Sequence, residues 1–436
     1  MRSIMLGLLL GLAPAVLAPT ANAQGYSGSY LDKLVQAADW FASVQDLNPF
    51  DADYGAVRTD EGVSSFYQSD QGKAIWVWST VKKLTGSTAY DAGLALCWAY
   101  TDAIDPTTRT AYYQNTYDSL WFLFGDLAYR VATGDQSFVT RAEQHFDWIL
   151  QNQLTWTIGR NLSTDGFACA AMYRWAVNRN DAPRLSAALS RADDVRANYE
   201  ANPAVLADQS IEIHGSAGYW GVLESWFAEH YQDRKDWVEL LAPSLPSGIT
   251  IDGGYRYTYQ AYLAGAYAAN WEYTAASPHK GTQLALVNEM QAEDDDQDGG
   301  IPRNKLKPST EDNSWATGLL AFQSFDLLRP DCDLAIGPEN YTVTVPGNLV
   351  FDFGAANNTT STKTFFLVAF LKFPSGSLVY LTTVPITLPG GFAFTFNDFG
   401  FPFGPGSPVG DYELKVQSYN SAAKLLDEVK LKFKVQ

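Results

Sequence analysis

QAEDDDQDGGIPRNKLKPSTEDNSWATGLLAF, residues 291–322, is the stretch that decides the fold. Its first half is polar, acidic and broken by glycine and proline, which is typical of a loop. A helix start is predicted at residues 311–314, because short polar residues there stand directly before an apolar stripe. The stripe has helical spacing and consists of Trp315, Leu319, Leu320 and Phe322. The stretch therefore predicts a long loop that leads into an aromatic-rich helix.

The same arrangement of loop and helix occurs five more times towards the N-terminus. Each copy combines acidic, glycine and aromatic residues and continues into an aromatic-rich helix. With one marker residue for each unit, the markers lie 38 to 60 positions apart: Asp70, Asp118, Asp165, His214, Asp252 and Asp312. Spacing of this size indicates a repeat architecture built from one supersecondary unit.

A second set of helices is predicted between these units. Tyr30 to Gln45 has apolar residues at helical spacing, and similar segments follow each aromatic helix. Connections from the aromatic helices to this second set are short, and the return connections are long. One rim therefore collects all the long loops. Because helical hairpins bury their faces only by stacking, six of them closing on themselves predict an (α/α)6 toroid over residues 24–330.

The pattern changes from Cys332 onward. Seven alternating, β-branched runs follow, and glycine, proline and asparagine separate them. This texture is typical of an immunoglobulin-like antiparallel β-sandwich, which we assign to residues 331–436. The Cys…Trp…Cys core of true immunoglobulin domains is missing, so the prediction concerns the architecture alone.

The N-terminus has the pattern of a secretory signal. Arg2 precedes an apolar run from Ile4 to Leu17, and Ala21-Asn22-Ala23 stands before Gln24. We interpret residues 1–23 as a signal peptide, since the run is short for a membrane anchor, which is the alternative. No later stretch is long and apolar enough to span a bilayer. We therefore expect a secreted, periplasmic or cell-surface protein.

Composition limits the partners. A chain of 436 residues that is 46% hydrophobic and 14% aromatic can form a large core and a second domain. The net charge of −18 argues against nucleic acid and anionic membrane surfaces as partners. Cys97 and Cys169 lie in apolar helical stretches, so buried free thiols are expected, with a disulfide as the alternative.

The layout resembles that of the six-hairpin glycosidase superfamily and of the related (α/α)-toroid polysaccharide lyases. The resemblance covers residues 28–329. It lies in the repeat layout, in TGD-type turns such as Thr133-Gly134-Asp135, and in DQDGGIP followed by DNSWATG. It implies a polysaccharide or oligosaccharide substrate that is bound across the loop-rich rim.

Hydrolysis of a glycosidic bond requires two carboxyl groups, one acting as an acid and the other as a base or nucleophile. The candidates are the acidic markers of the repeat units. Among these we select Asp118 and Asp312, because both adjoin aromatic residues. The alternative is an N-cap role, since aspartate is favoured at helix starts.

Polysaccharide β-elimination has different requirements. It needs a base for the proton at C5 of a uronic acid, an acid for the leaving oxygen and a neutraliser of the carboxylate. His214 is a candidate base, as one of four histidines and the marker of an aromatic helix. Residues 214–220 look like the His and Tyr-Trp region of toroid alginate lyases, with a different spacing. Tyr255 and Tyr257 could supply the acid.

Arginine occurs in five of the six rim loops, where it suits bidentate recognition of carboxylates; surface charge balance is the alternative. Aromatic side chains in the same loops suit stacking on sugar rings. The predicted substrate-binding residues are Arg58, Arg109, Arg160, Arg256, Arg303, Tyr112, Tyr113, Trp156 and Tyr219.

The acidic loop matches the start of an EF-hand calcium loop. Asp294, Asp296 and Asp298 have the required spacing and precede Gly299, but Lys305 stands where a bidentate glutamate is expected. Calcium bound by the three aspartates with other ligands is one interpretation, and a solvated acidic turn is the other.

Two functions follow from these patterns. The first is an exported enzyme that cleaves glycosidic bonds of a polysaccharide, by hydrolysis or by β-elimination. The second is a non-catalytic glycan-binding or surface-interaction protein that uses the toroid as a scaffold.

Overall fold

The computed structural model describes residues 30–62, 66–102, 112–152, 156, 159–211, 213–307, 311–327 and 331–436, without the side chains of 112–115 and 324–327. The interpreted signal peptide, residues 1–23, and Arg109 lie outside the described residues. Among the helices in these ranges, none has the length and apolar character needed to cross a membrane.

Thirteen α-helices are described in the first three quarters of the chain. They are α1 (Tyr30–Ser43), α2 (Gln68–Thr85), α3 (Asp91–Asp102), α4 (Tyr112–Thr133), α5 (Val139–Gln151), α6 (Gly159–Arg179), α7 (Ala182–Ala201), α8 (Gly215–Leu223), α9 (Trp226–Glu229), α10 (Arg234–Leu241), α11 (Arg256–Thr274), α12 (Ser277–Gln291) and α13 (Ser314–Leu327).

Six of these helices form an inner ring: α2, α4, α6, α8, α11 and α13. Each contacts the next along the ring, and α13 contacts α2, which closes it. Helices α2, α8 and α11 are buried on nearly all sides, as expected for helices surrounded by others. The outer helices α1, α3, α5, α7, α10 and α12 cover the ring. The predicted (α/α)6 toroid is therefore confirmed.

Aromatic side chains fill the centre of the ring. The ring of Phe322 in α13 lies 4.9 Å from that of Trp76, 5.1 Å from Phe124, 5.5 Å from Trp121 and 5.6 Å from Trp220, measured between centroids. Edge-on and tilted arrangements of this kind suit the quadrupoles of aromatic rings. The apolar stripe of α13 thus joins side chains of α2, α4 and α8 in one core.

Glycine sets the separation of α6 and α8. A Cβ atom on Gly221 would lie 1.9 Å from the carbonyl oxygen of Gly166, and one on Gly166 would lie 2.5 Å from the Cα of Gly218. The two helix backbones are therefore in direct contact, which no other residue at these positions would allow.

The long loops precede the inner helices and contact one another. The N–H of Glu61, before α2, donates to the carbonyl oxygen of Asp312, before α13, at 3.0 Å. The side-chain amide of Asn304 donates to the carbonyl oxygen of Gly254, before α11, at 2.7 Å. These contacts join three of the long loops into one rim.

The C-terminal residues form eight strands, which are arranged in two sheets. The strands are β1 (Cys332–Pro338), β2 (Thr342–Val343), β3 (Gly347–Asn357), β4 (Lys363–Lys372), β5 (Leu378–Leu388), β6 (Ala393–Phe403), β7 (Gly410–Tyr419) and β8 (Leu425–Val435). The sheet orders are β1-β3-β6 and β2-β8-β7-β4-β5. All pairs are antiparallel except β2 with β8, and β1 is the strand beyond the seven predicted.

The two domains share a small core and a buried ion pair. Lys280 of α12 binds Asp333 of β1 at 2.7 Å, and both side chains are almost fully buried. A separate apolar cluster joins α11 to the first sheet and consists of Trp271, Ala275, Ala335 and Ala356. The three cysteines are free and buried, which confirms the expectation for Cys97 and Cys169.

Candidate active site at the loop-rich rim

Three aromatic side chains meet where the inner helices begin. The ring of Trp315 lies 5.4 Å from that of Tyr255 in a stacked arrangement, and 6.2 Å from that of Tyr67. Tyr67 is 43% exposed, Tyr255 is half-buried and Trp315 is 7% exposed. We call Tyr67, Tyr255 and Trp315 the aromatic platform. It offers solvent-facing ring surface of the kind on which a sugar can stack.

The start of α13 fixes Trp315. Asn313 caps the helix, because its Oδ1 accepts hydrogen bonds from the N–H groups of Trp315 at 3.0 Å and Ala316 at 3.1 Å. The cap at this helix is therefore Asn313, and the side chain of Asp312 remains available for other contacts.

A buried ion pair lies beneath the platform. The Nζ of Lys73 is 3.4 Å from Asp70, and it lies 5.0 Å from the ring centroid of Trp315, 5.2 Å from Tyr117 and 5.3 Å from Trp121. Burial lowers the pKa of Lys73 to about 8, although the neighbouring carboxylates oppose this. Burial likewise raises the pKa of Asp70. The ion pair therefore packs against the inner side of the platform, through the contact of Lys73 with Trp315.

Asp118 is an acidic marker close to the platform. It follows Tyr117, whose ring lies 5.1 Å from that of Trp315, and it lies in the second turn of α4. Its Oδ1 accepts the N–H of Ser69 at 2.8 Å, and the residue is 6% exposed. Lys73 is close enough for the carboxylate to act on its pKa. Both interactions favour the ionised carboxylate.

Two other acidic markers have structural surroundings. Asp165 is fully buried, pairs with Arg191 and accepts the indole N–H of Trp156 at 2.7 Å. Asp252 is exposed and lies 3.5 Å from Arg256. Trp156, predicted to bind substrate, is thus held by a buried aspartate and is partly buried against the core.

His214 caps α8. Its Nδ1 accepts the N–H of Ser216 at 3.2 Å, its ring lies 6.3 Å from that of Tyr259, and the residue is fully buried. Burial lowers the pKa of His214 to about 4, so the imidazole is neutral at pH 7. Nε2 has no hydrogen-bond partner among the described residues. The surroundings are those of a helix cap, which the sequence analysis did not anticipate for histidine.

The predicted tyrosines separate into three environments. Tyr255 belongs to the platform. Tyr257 is buried, and its burial together with the nearby carboxylate of Glu293 raises its pKa well above the usual range. Tyr219 is fully buried and stacks on Trp237 at 4.8 Å, so the structure places it in the core, where the predicted sugar contact is not possible.

The predicted arginines also differ. Arg256 donates to the carbonyl oxygen of Ile251 at 2.7 Å and to Glu289 at 2.8 Å, which ties it to the α12 side of the ring. Arg303 lies over Tyr255, 4.8 Å from the ring centroid, and so adjoins the platform.

Arg58 and Arg160 are half-buried, the first in the loop before α2 and the second in the first turn of α6. Tyr112 and Tyr113 begin α4, but their side chains lie outside the described part of the structure, as Arg109 does.

Five carboxylates gather beside α13. Asp294, Asp296 and Asp298 each place an oxygen within 4.8 Å of the others, and so do Asp298, Glu61 and Asp312. Burial and the neighbouring carboxylates raise the pKa of Asp312 to about 9 and raise that of Glu61. Asp298 belongs to both groups. The acidic residues form an arrangement that could hold a metal ion.

The sequence matches no protein-family model and no curated protein. Its structure, however, is similar to several solved ones. The Lin0763 protein from Listeria innocua has a TM-score of 0.52 at 13% identity, over 69% of this chain and 98% of that chain. The GH76A α-1,6-mannanase of Salegentibacter sp. HEL1_6 has a TM-score of 0.52 at 13% identity, over 69% of this chain and 100% of that chain.

An inactive variant of the same mannanase, in complex with α-1,6-mannotriose, has a TM-score of 0.51 at 12% identity. The similarity extends over 69% of this chain and 100% of the mannanase variant. At these identities the likeness shows the fold, which is the (α/α)6 toroid of family 76 glycoside hydrolases. The resemblance to toroid carbohydrate-active enzymes that the repeat layout indicated is thereby confirmed.

Two residues of the rim were not predicted from the sequence: Lys73 and Glu61. Lys73 lies in the marker stretch of the first unit, where a single lysine before an apolar run suggests a solvated position. Glu61 belongs to a loop distant in sequence from Asp312. No local pattern marks either residue as a partner of α13.

Proposed function

We propose that this chain is an exported carbohydrate-active enzyme that hydrolyses glycosidic bonds of a glycan bound across the rim. The observation that carries the proposal is the position of Asp118 beside the aromatic platform, at the starts of the inner helices. A sugar ring stacked on the exposed ring of Tyr67 would lie at the rim near this carboxylate, which accepts the N–H of Ser69 two residues further on. The shared fold with α-1,6-mannanases supports a mannose-containing substrate.

Asp118 would act as the base or nucleophile that glycoside hydrolysis requires. The N–H of Ser69 and the charge of Lys73 stabilise its ionised form, which suits either role. Arg303, stacked over Tyr255, would contact substrate hydroxyl or carboxylate groups at the edge of the platform.

Hydrolysis is favoured here over β-elimination. The base proposed for elimination is His214, whose side chain is fully buried in a capping interaction. Tyr257, one of the two proposed acids, is buried as well. Tyr255 alone of these residues adjoins the platform. A uronic acid would therefore find no exposed histidine base among these candidates.

Glycan binding without catalysis is the second candidate function. The burial of His214 and Asp312 favours it, since neither side chain faces solvent.

Export rests on the signal pattern of residues 1–23. Calcium at Asp294, Asp296 and Asp298 is part of the proposal as well, although Lys33 already pairs with Asp294.

The test is a panel of polysaccharides that includes α-1,6-mannan. New reducing ends without the ultraviolet absorbance of an unsaturated product would support hydrolysis. If that absorbance appeared, the reaction would be β-elimination and the proposal of hydrolysis would be wrong. Binding without turnover would favour the second candidate. Asp118→Asn should abolish turnover and retain binding. The matched control is Asp102→Asn, an exposed aspartate of the outer helix α3.

A further inference from the structure

Eight aspartates are buried in the described residues, and seven of them contact a cation or a backbone N–H group. Asp46 and Asp118 accept the N–H groups of Asn48 and Ser69. The other five form ion pairs within the described residues: Asp70 with Lys73, Asp126 with Arg130, Asp165 with Arg191, Asp294 with Lys33 and Asp333 with Lys280. Pairing is expected, because an isolated buried charge costs several kcal/mol.

Asp312 is the exception. It is 1% exposed, and neither of its oxygens accepts a hydrogen bond from an N–H or hydroxyl group within the described chain; its side chain contacts the carboxyl group of Asp298 instead. One oxygen of Asp312 lies within 4.8 Å of an oxygen of Glu61 and of an oxygen of Asp298. A buried carboxyl group that faces two others, with no lysine or arginine paired to it in the described residues, must take up either a proton or a cation.

The backbone encloses this carboxylate. A Cβ atom on Gly300 would lie 2.4 Å from the Oδ2 of Asp312 and 2.4 Å from the Nε1 of Trp40. The N–H of Gly300 donates to Asp298 at 2.8 Å, which orients that ligand group. The backbone at Gly300 therefore packs directly against the carboxyl group of Asp312, and a residue with a side chain would displace it.

We propose that Glu61, Asp298 and Asp312 bind a divalent cation, with Ca²⁺ as the best fit. Calcium binds oxygen ligands at about 2.3–2.6 Å, so two ligand oxygens of one ion are separated by at most about 5 Å. One oxygen of each of the three residues lies within 4.8 Å of the other two, so a single ion could contact all three. The ligand set differs from the EF-hand-like one, because it replaces Asp294 and Asp296 with residues of two other rim segments.

The ion would connect the loop before α2 to the start of α13. The backbones already join there, since Glu61 N–H donates to Asp312 and Ser314 N–H donates to Thr59 at 2.8 Å. Trp315 of the platform follows one residue after Ser314. A bound cation would therefore fasten the rim segment that positions the platform, without contact with a sugar.

The test is Ca²⁺ binding to the full chain after removal of metals with a chelator, followed by calorimetric titration and thermal unfolding. Glu61→Gln and Asp312→Asn should each weaken the affinity by about tenfold or more, because affinity follows the ligand charge count. Asp295→Asn is the matched control. It removes an exposed carboxylate of the same loop that belongs to neither acidic group, so the affinity should change little.

Asp312→Asn also gives a second readout that separates binding from misfolding. Without metal, this variant should unfold at a higher temperature than the parent chain, because it removes a buried charge from a group of like charges. With saturating Ca²⁺, Asp312→Asn should unfold at a lower temperature than the parent chain, because the parent chain alone is stabilised by the ion. Loss of affinity in Asp296→Asn but not in Glu61→Gln would overturn the proposal, and so would a parent unfolding temperature that Ca²⁺ leaves unchanged.

Discussion

The indole of Trp315 and the ring of Tyr255 are stacked, with 5.4 Å between their centroids and 28° between their planes. The two residues belong to α13 and to the loop before α11, so this contact joins adjacent units of the ring. Tyr67 adds a third ring from the loop before α2. The aromatic platform therefore exists only because three loops meet at one rim.

Tyr67 tests the platform without disturbing the core, since it is 43% exposed. Tyr67→Ala should weaken binding of an oligosaccharide substrate by about 0.5–1.5 kcal/mol, which is the worth of one aromatic stacking contact. Calorimetric titration would measure it. Tyr380→Ala, at an exposed tyrosine of β5, is the control. Equal effects of the two variants would contradict a role for the platform.

Asp118→Asn is the direct test of catalysis. The asparagine Oδ1 can still accept the Ser69 N–H, so the fold should be retained while the charge is lost. We expect turnover to fall by about 10²-fold or more, the usual contribution of a positioned acid or base. The substrate affinity should change little. Turnover at the parental rate would remove Asp118 from the mechanism.

His214 makes stability depend on pH. Its pKa in the folded protein, about 4, lies below the ordinary value of 6.5, so folding favours the neutral ring. Stability should be highest above pH 6.5. It should fall as the pH drops from 6.5 towards 4, by up to about 3 kcal/mol, because the unfolded chain then binds the proton more readily.

His214→Asn should reduce this acid-induced loss while an asparagine cap replaces the histidine. Urea unfolding between pH 4 and 7 would measure the difference. His230→Asn, on the exposed end of the short α9 segment, is the matched control and should keep the parental slope. A parental slope in His214→Asn would show that other groups cause the loss.

The ion pair between Lys280 and Asp333 tests the domain interface. Lys280→Met leaves Asp333 buried and unpaired, which should destabilise the chain by about 3–5 kcal/mol in chemical unfolding. Replacing both residues, Lys280→Met with Asp333→Leu, should restore much of the loss. Lys307→Met breaks an exposed pair and should have little effect. If Lys280→Met and Lys307→Met were equally stable, the interface would not depend on this pair.

Gly221→Ala tests the contact between α6 and α8. The added methyl group would meet the carbonyl oxygen of Gly166, so we expect a loss of about 1–3 kcal/mol in the free energy of unfolding. Gly281→Ala is the control in the outer helix α12, where a Cβ meets nothing within 4 Å. That change should stabilise by about 0.5–1 kcal/mol. A neutral Gly221→Ala would mean that the two helices can separate without cost.

Hydrophobic spacing and turn residues predicted that the inner helices exist, but not the positions of the acidic markers within them. Helix α4 begins at Tyr112 and α6 at Gly159, so Asp118 and Asp165 lie in the second turn and neither is an N-cap. The burial of Tyr219 was not predicted either. The outer helix α10 covers it, and its stacking partner Trp237 belongs to that helix.

The sequence alone determined the ring of helical pairs, the collection of long loops at one rim and the change to a β-sandwich. Hydrophobic periodicity and turn residues act over a few residues, and they are therefore legible along the chain. Only the tertiary structure decided that Lys73 lies beneath Trp315 and that Glu61 faces Asp312. Such meetings depend on how side chains from loops far apart in the chain fill the same space, which no local pattern encodes.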